Sequence, residues 1–359
     1  QGKEMLTRIK ELIKKNKKVF QMARDTYAIL VGTAGILKGK KGAGEHLKAT
    51  FSLIKRSSEI SGLPINITVE PTNQCNCHCP ICETGAGILG RLAQHMSLED
   101  FKTIIDKIAE HTNTLMFYFM GEPFINPQSY AMIRYAKDKG IPFITTCTNG
   151  DPVNPAKLVE SGIDEISFQI GGITQETHGI YRVGSKIDRV VSNIRETVRL
   201  RNEKNVKMRI VCGFILMKHN ETEVEDFKVL MKDLGVDEAM IIDPCVRTME
   251  EGYIYLPSDK NHWIYDVDAF QQGKLVPKIL AQNECPWMYY SVTIQVNGDV
   301  VPCCRDPHGQ FVMGNILEQD LKDIWNSPKF IKFRTMVNHN QKNLVICRLC
   351  SGYGVSAIK

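Results

Sequence analysis

The stretch EPTNQCNCHCPICETG (residues 70–85) places four cysteines within eight positions, directly after the apolar run INITV. Three of them, Cys75, Cys79 and Cys82, have the spacing CxxxCxxC. Three such thiolates can hold three irons of a [4Fe-4S] cluster and leave the fourth iron open. A structural zinc ion, the alternative, normally takes four ligands, commonly as two separated pairs. The compact triplet therefore favours iron, with Cys77 as a spacer residue that points away.

Apolar runs alternate with helix-like segments along the chain up to about residue 245. The predicted strands cover residues 65–70, 114–120, 142–148, 165–170, 206–216 and 238–243. The segments between them predict helices, with Ser97 and Asn154 as N-caps and glycines such as Gly235 as C-terminal stops. This alternation is typical of an α/β fold, and we predict a parallel sheet with helices on its outside, forming either a barrel or an incomplete one. Chemistry in such folds lies in the loops after the strands, where the first cysteine cluster is found.

A second cysteine set follows the predicted barrel. Cys285, Cys303, Cys347 and Cys350 supply four ligands closed by a CxxC motif, which suits an iron–sulfur cluster or a zinc ribbon equally well on spacing alone. Cys304 is an alternative to Cys303. The two β-like runs around Asn297-Gly298 predict a hairpin. The predicted organisation is a basic amphipathic helical extension (1–62), the barrel (63–245), a linker (246–284) and a small C-terminal β-hairpin/helix domain (285–359).

Charge and cysteine usage indicate where the protein works. Twelve cysteines without a secretory signal favour a reducing compartment, so we expect a cytoplasmic protein. The net charge is +5, but residues 1–60 hold fourteen Lys or Arg against five Asp or Glu, which is +9 and leaves −4 for the rest. Leu6, Ile9, Ile13 and Phe20 lie near one face of a predicted helix in this region.

Two interpretations of this basic region stay open. It is either a helical arm packed on its own domain or a peripheral contact with the inner membrane surface. The uncharged run 26–37 is too short to cross a bilayer. Nucleic acid is not an expected partner, because the region lacks interleaved aromatic residues and a recognisable binding module.

Several further motifs follow the predicted strands, and together with CxxxCxxC they make residues 65–245 similar to the radical SAM superfamily. The motifs are FMGEP (119–123), TNG (148–150), ISFQIGG (166–172) and the segment HGIYRVG. The resemblance implies a partial (β/α)6 TIM-like barrel. It also implies a [4Fe-4S] cluster on Cys75, Cys79 and Cys82 that binds S-adenosylmethionine (SAM). Two positions depart from the family pattern, since Met120 replaces the usual first glycine and Gln169 stands where an aspartate is usual. The implied SAM contacts are Gly121, Glu122, Pro123, Asn149, Ser167, Gln169 and Arg182.

The C-terminal segment resembles the SPASM/twitch extension of radical SAM enzymes. The resemblance rests on CPWMYYSVTIQVNGDVVPCC (285–304), GNILEQDLKDIWNSPKFIKFR and CRLC (347–350). It implies a second, auxiliary [4Fe-4S] cluster on Cys285, Cys303, Cys347 and Cys350. This four-cysteine layout is similar to the one-cluster twitch form found in enzymes of the 2-deoxy-scyllo-inosamine dehydrogenase type.

These resemblances imply a radical SAM oxidoreductase. Such an enzyme reductively cleaves SAM to a 5′-deoxyadenosyl radical, which abstracts hydrogen from a substrate carbon. By analogy the auxiliary cluster accepts an electron during oxidation of a small-molecule substrate, either sugar- or polyol-type or lipid-linked. A reductase with flavodoxin or ferredoxin is the expected electron donor. The alternatives are modification of a ribosomally made peptide, C–C bond formation on a membrane lipid, and a zinc-stabilised binding module.

Candidates for the proton-handling group lie at predicted strand ends. Asp243 and Arg247 follow the last predicted strand, and we predict that they face the substrate as catalytic residues. Tyr118 and Glu70 lie near the ends of other strands and are further candidates for the base.

Overall fold

The computed structural model describes residues 17–279, 283–350, 352 and 354–359. Leu6, Ile9 and Ile13, on which part of the amphipathic-helix prediction rests, lie outside the described residues. Two helices precede the sheet, α1 (Lys17–Leu37) and α2 (Ala43–Ile54). No helix in the described ranges combines the length and the apolar character needed to cross a membrane.

Six parallel strands form the predicted barrel sheet. They are β1 (Asn66–Val69), β2 (Thr114–Met116), β3 (Phe143–Thr148), β4 (Glu165–Ile170), β5 (Arg209–Ile215) and β6 (Glu238–Ile242). Each strand pairs with the next in chain order. The α/β prediction is therefore confirmed. Because the six strands are parallel, their carboxyl ends all lie at the same edge of the sheet.

Helices connect these strands and cover the outer face of the sheet. They are α3 (Leu98–Ile108), α4 (Ser129–Asp138), α5 (Pro155–Glu160), α6 (Gln175–Tyr181), α7 (Ile187–Glu203) and α8 (Val224–Leu234). The predicted N-caps are confirmed, because the Ser97 side chain accepts from the Asp100 N–H and the Asn154 side chain accepts from the Lys157 N–H. Gly235 ends α8 with φ 74°, a conformation that favours glycine.

The second strand is shorter than predicted. β2 ends at Met116, whereas the apolar run predicts a strand to residue 120. The Met120 N–H donates to the Glu70 carboxylate at 3.2 Å, and Gly121 turns the chain with φ 82°. The Glu70 carboxylate therefore accepts from the Met120 N–H in place of a backbone carbonyl of a neighbouring strand. The residues after Met116 form a loop instead of continuing β2.

The C-terminal segment extends the same sheet. Its elements are α9 (Met249–Tyr255), α10 (Val267–Gln271), α11 (Trp287–Tyr290), β7 (Ser291–Ile294), β8 (Asp299–Val301), β9 (Gly314–Asn315), α12 (Leu321–Trp325) and α13 (Pro328–Asn340). β7 and β8 form the predicted hairpin around Asn297-Gly298. β7 also pairs with β1 in parallel, with Asn66 opposite Ser291. The strand order is β6-β5-β4-β3-β2-β1-β7-β8-β9, so the sheet is open, with β6 and β9 as its edges.

The basic arm packs on the rest of the protein. The Arg24 guanidinium forms an ion pair with Glu284, and Gln21 donates to the same carboxylate at 2.7 Å. A Cβ on Gly32 of α1 would lie 3.3 Å from Leu47 of α2, so the two helices approach closely at this glycine. The arm is thus anchored both to the helix that follows it and to the start of the C-terminal segment.

Candidate active site

The loop after β1 brings the four clustered cysteines together. The Cys77 N–H donates to the Cys75 sulfur at 3.3 Å, and the Cys82 N–H donates to the Cys79 carbonyl at 3.2 Å. Cys77 and Cys79 are buried. The expectation that Cys77 points away is wrong, because Cys77 is buried in the same cluster as Cys79 and interactions with the thiols of Cys75 and Cys79 raise the pKa of its own thiol.

The thiols in this loop differ in their ease of ionisation. Hydrogen bonds to the sulfurs of Cys75 and Cys79 raise the pKa of Cys77, which keeps its proton. The hydrogen bond from Cys77 and the nearby Arg182 guanidinium lower the pKa of Cys79 to about 6. The Cys77 hydrogen bond likewise lowers the pKa of Cys75. Since the thiolate is the form that binds metal, Cys75 and Cys79 are prepared as ligands and Cys77 acts as their hydrogen-bond donor.

Two glycines allow the backbone to close around this loop. A Cβ on Gly85 would lie 2.4 Å from the Cys79 nitrogen, and one on Gly121 would lie 2.4 Å from the Gln74 carbonyl oxygen. Gly121 also has φ 82°. Both positions therefore require glycine, and Gly121 presses the end of the second strand against the cysteine loop.

Glu122 links the GEP and TNG motifs. Its carboxylate accepts from the Thr148 hydroxyl and the Asn149 N–H, each at 2.7 Å, and from the Phe124 N–H at 3.2 Å. Burial raises the pKa of Glu122 to about 7. Pro123 begins the short turn that follows and is itself buried. The structure thus places Gly121, Glu122 and Asn149 in one group beside the cysteine loop.

Asn149 and Arg182 reach the cysteine loop directly. The Asn149 amide donates to the Asn76 side chain at 2.8 Å and lies 4.0 Å from the Cys75 sulfur. Arg182, just after α6, points a guanidinium nitrogen at the Cys79 sulfur at 3.6 Å. Its Nε is buried and has no hydrogen-bond partner among the described residues. A free, buried guanidinium N–H suits an anionic acceptor such as the SAM carboxylate.

The inner face of the sheet is polar next to this loop. On β4 the Gln169 amide donates to the Ser167 hydroxyl at 2.7 Å, and the Cys147 thiol of β3 hydrogen-bonds with both side chains. Burial raises the pKa of Cys147 to about 11. Sequence reasoning missed Cys147, although it shares the period-two face of β3 with Asn149. A Cβ on Gly213 of β5 would lie 2.5 Å from Gln169, so this glycine makes room for that side chain.

The second cysteine set also converges. Burial raises the pKa values of Cys285 and Cys347 to about 12, and each thiol is also affected by the nearby thiol of Cys350. Burial likewise raises the pKa of Cys303, with contributions from Cys285 and Cys347. The Cys350 N–H donates to the Cys347 carbonyl at 3.1 Å. Four neighbouring thiols with this chemistry fit a fully cysteine-ligated cluster.

The neighbouring cysteine, Cys304, faces a different part of the molecule. Besides Cys303, it lies near Tyr118 at the end of the second strand, as does Cys147. Cys303 packs against the main hydrophobic core together with Cys285 and Cys347, and Cys304 is not among the residues that do so. Within the described ranges, no three His, Cys, Asp or Glu side chains surround a single metal-ion position.

Glu70 joins three parts of the molecule. The sequence suggests it as a candidate for the base and does not indicate this structural role. Arg91 donates to its two oxygens at 2.7 and 2.6 Å, and the N–H groups of Val296 and Met120 donate at 2.8 and 3.2 Å. The Arg91 Nε donates to the Pro307 carbonyl at 2.7 Å. With both oxygens occupied, Glu70 links the cysteine loop to the β7–β8 hairpin and is a poor candidate for the base.

Asp243 and Arg247 lie at the periphery of the site. Asp243 is exposed and lies 2.9 Å from the Nδ1 of His262. Arg247 forms an ion pair with Glu251 and donates to the Pro80 carbonyl at 2.9 Å, which places it against the cysteine loop. The two residues are therefore not brought together, and their catalytic role stays a prediction.

The predicted linker covers the cysteine loop. Val246, Leu256, Tyr265 and Phe270 pack with Cys77 and Cys79 in one hydrophobic cluster, which also contacts Leu349. Leu349 lies between Cys347 and Cys350 in the sequence. One hydrophobic cluster thus borders both cysteine sets and keeps water away from the first.

Two family models match the chain. The radical SAM superfamily model matches residues 69–234, and the model of the SPASM iron–sulfur cluster-binding domain matches residues 285–351. The first match contains the CxxxCxxC loop and all the strand-end motifs described above. The second contains Cys285, Cys303, Cys347 and Cys350.

The chain is similar to several characterised proteins. It is 24% identical over 302 residues to the tungsten-containing aldehyde ferredoxin oxidoreductase cofactor-modifying protein of Pyrococcus furiosus, covering 74% of this chain and 82% of that protein. It is 24% identical over 318 residues to the AdoMet-dependent heme synthase of Methanosarcina barkeri, covering 77% and 86%. It is 38% identical to the SAM-dependent 2-deoxy-scyllo-inosamine dehydrogenase of Niallia circulans over 63 residues, which cover 17% and 25%.

Solved structures share the fold. SuiB of Streptococcus suis bound to SAM superposes with a TM-score of 0.61 at 15% identity, covering 89% of this chain and 82% of that one. BtrN in complex with AdoMet and 2-DOIA superposes with a TM-score of 0.52 at 19% identity, covering 83% and 96%.

The family matches and the geometry agree on both cysteine sets. The lowered pKa values of Cys75 and Cys79 and the buried Arg182 N–H fit a SAM-binding cluster, although burial raises the pKa of the third thiol, Cys82. The four neighbouring thiols of the second set fit an auxiliary cluster. This chain belongs to the radical SAM superfamily and carries an SPASM iron–sulfur domain, so it is a SAM-dependent enzyme with SAM and two [4Fe-4S] clusters as its cofactors.

Proposed function

We propose that this enzyme oxidises an alcohol carbon of a sugar- or polyol-type substrate, free or lipid-linked, and that its auxiliary cluster accepts one of the electrons. The observation that carries the proposal is the position of the Cys303-Cys304 pair. Cys303 lies with Cys285 and Cys347, whereas the adjacent Cys304 lies near Tyr118 in the barrel. The interaction of Cys304, next to Cys303, with Tyr118 supports a short path for an electron from a substrate in the barrel to the proposed auxiliary site.

The proposed reaction balances in electrons and protons. When bound, the cofactors supply a 5′-deoxyadenosyl radical that takes one hydrogen atom from the carbinol carbon, and an acceptor for the second electron. The hydroxyl proton passes to a base, and a carbonyl forms. A flavodoxin or ferredoxin with its reductase is the proposed source of the electron that cleaves SAM.

The chain's own residues have distinct proposed roles. Arg182 holds the SAM carboxylate through its free Nε, and Asn149 with the Glu122 group holds the methionine end of SAM beside the thiols. Ser167 and Gln169 bind the SAM ribose from the inner face of β4. The hydrophobic cluster over the cysteine loop excludes water, which protects a reactive radical from side reactions.

Asp243 is the proposed acceptor of the hydroxyl proton. Glu70 and Glu122 are also carboxylates beside the site, but backbone, hydroxyl and guanidinium donors occupy their oxygens. Asp243 instead pairs with an imidazole, that of His262. We expect Asp243→Asn to lower formation of the oxidised product while SAM cleavage continues, and equal product yields would rule out this assignment.

The experiment compares Cys303→Ala with Cys304→Ala. Anaerobically reconstituted proteins are incubated with dithionite, SAM and a panel of polyols and aminocyclitols, and 5′-deoxyadenosine and oxidised product are quantified by mass spectrometry. We expect the unmodified enzyme and Cys304→Ala to form 5′-deoxyadenosine and oxidised product in equal amounts. Cys303→Ala should still form 5′-deoxyadenosine but little oxidised product.

Three outcomes would count against the proposal. Equal product yields from Cys303→Ala and the unmodified enzyme would contradict the role of the auxiliary cluster. Modification of a ribosomally made peptide, or C–C bond formation on a lipid, would replace alcohol oxidation as the function.

A further inference from the structure

Helix α1 exposes a continuous apolar face. Six uncharged residues recur at intervals of three and four and therefore form one stripe along the helix. We call this face the apolar stripe: Phe20, Ala23, Tyr27, Leu30, Ala34 and Leu37. All six are exposed, and Leu37, Leu30 and Tyr27 are 83%, 63% and 53% exposed.

The opposite face of α1 already has its packing partners. Ala28 is completely buried, and a Cβ on Gly35 would lie 2.9 Å from Ala43 and 3.1 Å from Ile358. The charged pair Arg24 and Asp25 is only partly exposed and is engaged in ion pairs. The apolar stripe is therefore additional to the face that holds the helix on the protein.

Positive charge surrounds the apolar stripe. Lys38 and Lys40 follow its last residue and are exposed. Lys55 and Arg56 follow the neighbouring helix α2 and are also exposed, although Arg56 lies 3.8 Å from the Glu284 carboxylate. That helix adds two exposed apolar residues, Phe51 and Ile54. Residues 1–60 carry a net charge of +9 while the rest of the chain carries −4. An exposed apolar face bordered by lysines is complementary to a lipid bilayer, which has an apolar interior and can carry anionic head groups at its surface.

We propose that the apolar stripe docks this enzyme on the surface of a membrane that contains anionic lipids. Leu30, Leu37 and Tyr27 enter the boundary between head groups and acyl chains, and the surrounding lysines contact the lipid phosphates. This proposal rests on α1 and α2 and does not depend on the identity of the substrate.

The connection between α1 and α2, which follows the last residue of the apolar stripe, lies at the opposite end of the barrel from the site. The Asn113 amide donates to the Lys41 carbonyl at 3.0 Å, and a Cβ on Gly42 would lie 2.7 Å from the His111 carbonyl oxygen. Both contacts are just before β2, at the amino ends of the strands, whereas the cysteine loop follows β1 at the carboxyl ends. The cysteine loop therefore lies away from the end of the docking surface at Leu37.

The test is a vesicle co-sedimentation assay with the full chain. Large unilamellar vesicles of phosphatidylcholine alone are compared with vesicles that also contain phosphatidylglycerol, at low and high salt. We expect binding to the anionic vesicles that weakens with salt, and a loss of about tenfold or more for Leu30→Glu/Leu37→Glu. The matched control is Val229→Glu on α8, which is 58% exposed, lies outside this surface and should bind like the unmodified protein.

Folding of the variants is checked by circular dichroism, and leucine and glutamate have similar helix propensities. Failure of the unmodified protein to bind anionic vesicles, or undiminished binding by Leu30→Glu/Leu37→Glu, would overturn the proposal. Sedimentation velocity adds a further arm. A dimer that the double substitution dissociates, without vesicle binding, would show that the apolar stripe contacts a second copy of the chain instead. Neither readout involves SAM cleavage, so their failure is distinct from failure of the proposed function.

Discussion

At the scale of single residues, the cysteine loop separates ligands from a supporting thiol. CxxxCxxC is readable from the sequence, but the place of Cys77 is not. Only the fold shows Cys77 buried beside Cys75 and Cys79, with its N–H donating to the Cys75 sulfur and its thiol interacting with both of theirs. The spacing thus identifies a triplet, and the structure explains why a fourth cysteine is buried beside it.

We expect Cys77→Ala to keep the SAM-binding cluster and Cys79→Ala to lose it. Iron analysis of reconstituted protein should give about eight irons for the unmodified enzyme and for Cys77→Ala, but about four for Cys79→Ala. Loss of iron from Cys77→Ala would show that Cys77 is a ligand and that the choice of triplet is wrong.

A second prediction at this scale concerns Glu122. Its pKa is raised to about 7 by burial, so its carboxyl group becomes neutral as the pH falls below that value. A neutral group is a weaker hydrogen-bond acceptor for the SAM amino group, and we expect SAM affinity to fall by up to about tenfold per pH unit below about pH 7. Isothermal titration between about pH 6 and about pH 8 measures this.

Glu122→Gln is the control for this titration, because it has the same shape but does not ionise. Its SAM affinity should be low and independent of pH over the same range. A slope equal to that of the unmodified enzyme would assign the pH dependence to another group.

At the scale of elements, the period of the apolar runs predicts most of the fold. The six strands occur where predicted, and local signals such as Ser97 and Asn154 identify helix starts correctly. The end of β2 is missed because a distant side chain, Glu70, takes the Met120 N–H. The pairing of β1 with β7 is also missed, since it joins residues more than two hundred positions apart and no local pattern specifies it.

The Glu70–Arg91 ion pair connects the cysteine loop to the β7–β8 hairpin, a contact that the sequence does not show. We expect Arg91→Ala to destabilise the protein by about 3–5 kcal/mol, because it leaves a buried carboxylate without its partner. Urea unfolding of the apoprotein measures this loss.

The matched control for the Glu70–Arg91 pair is an exposed ion pair. Arg134 and Asp138 are 47% and 62% exposed, so Arg134→Ala should cost about 0.5 kcal/mol or less. Equal effects of the two substitutions would mean that Glu70 does not hold the cysteine loop to the hairpin.

At the scale of the whole molecule, one sheet and one hydrophobic cluster connect the two cysteine sets. β7 of the SPASM segment lies beside β1, which leads into the CxxxCxxC loop. Leu349, between Cys347 and Cys350, contacts the hydrophobic cluster that covers Cys77 and Cys79. The two sites are therefore held in a fixed arrangement by shared structure. The domain boundary at residue 285 stays a prediction.

The most direct measurement is SAM cleavage together with metal analysis of anaerobically purified protein. We predict brown protein with about eight irons per chain, little zinc, and dithionite-dependent formation of 5′-deoxyadenosine that Cys79→Ala abolishes. Colourless protein with bound zinc, or iron-loaded protein that forms no 5′-deoxyadenosine from SAM, would contradict the assignment of both cysteine sets to radical SAM chemistry.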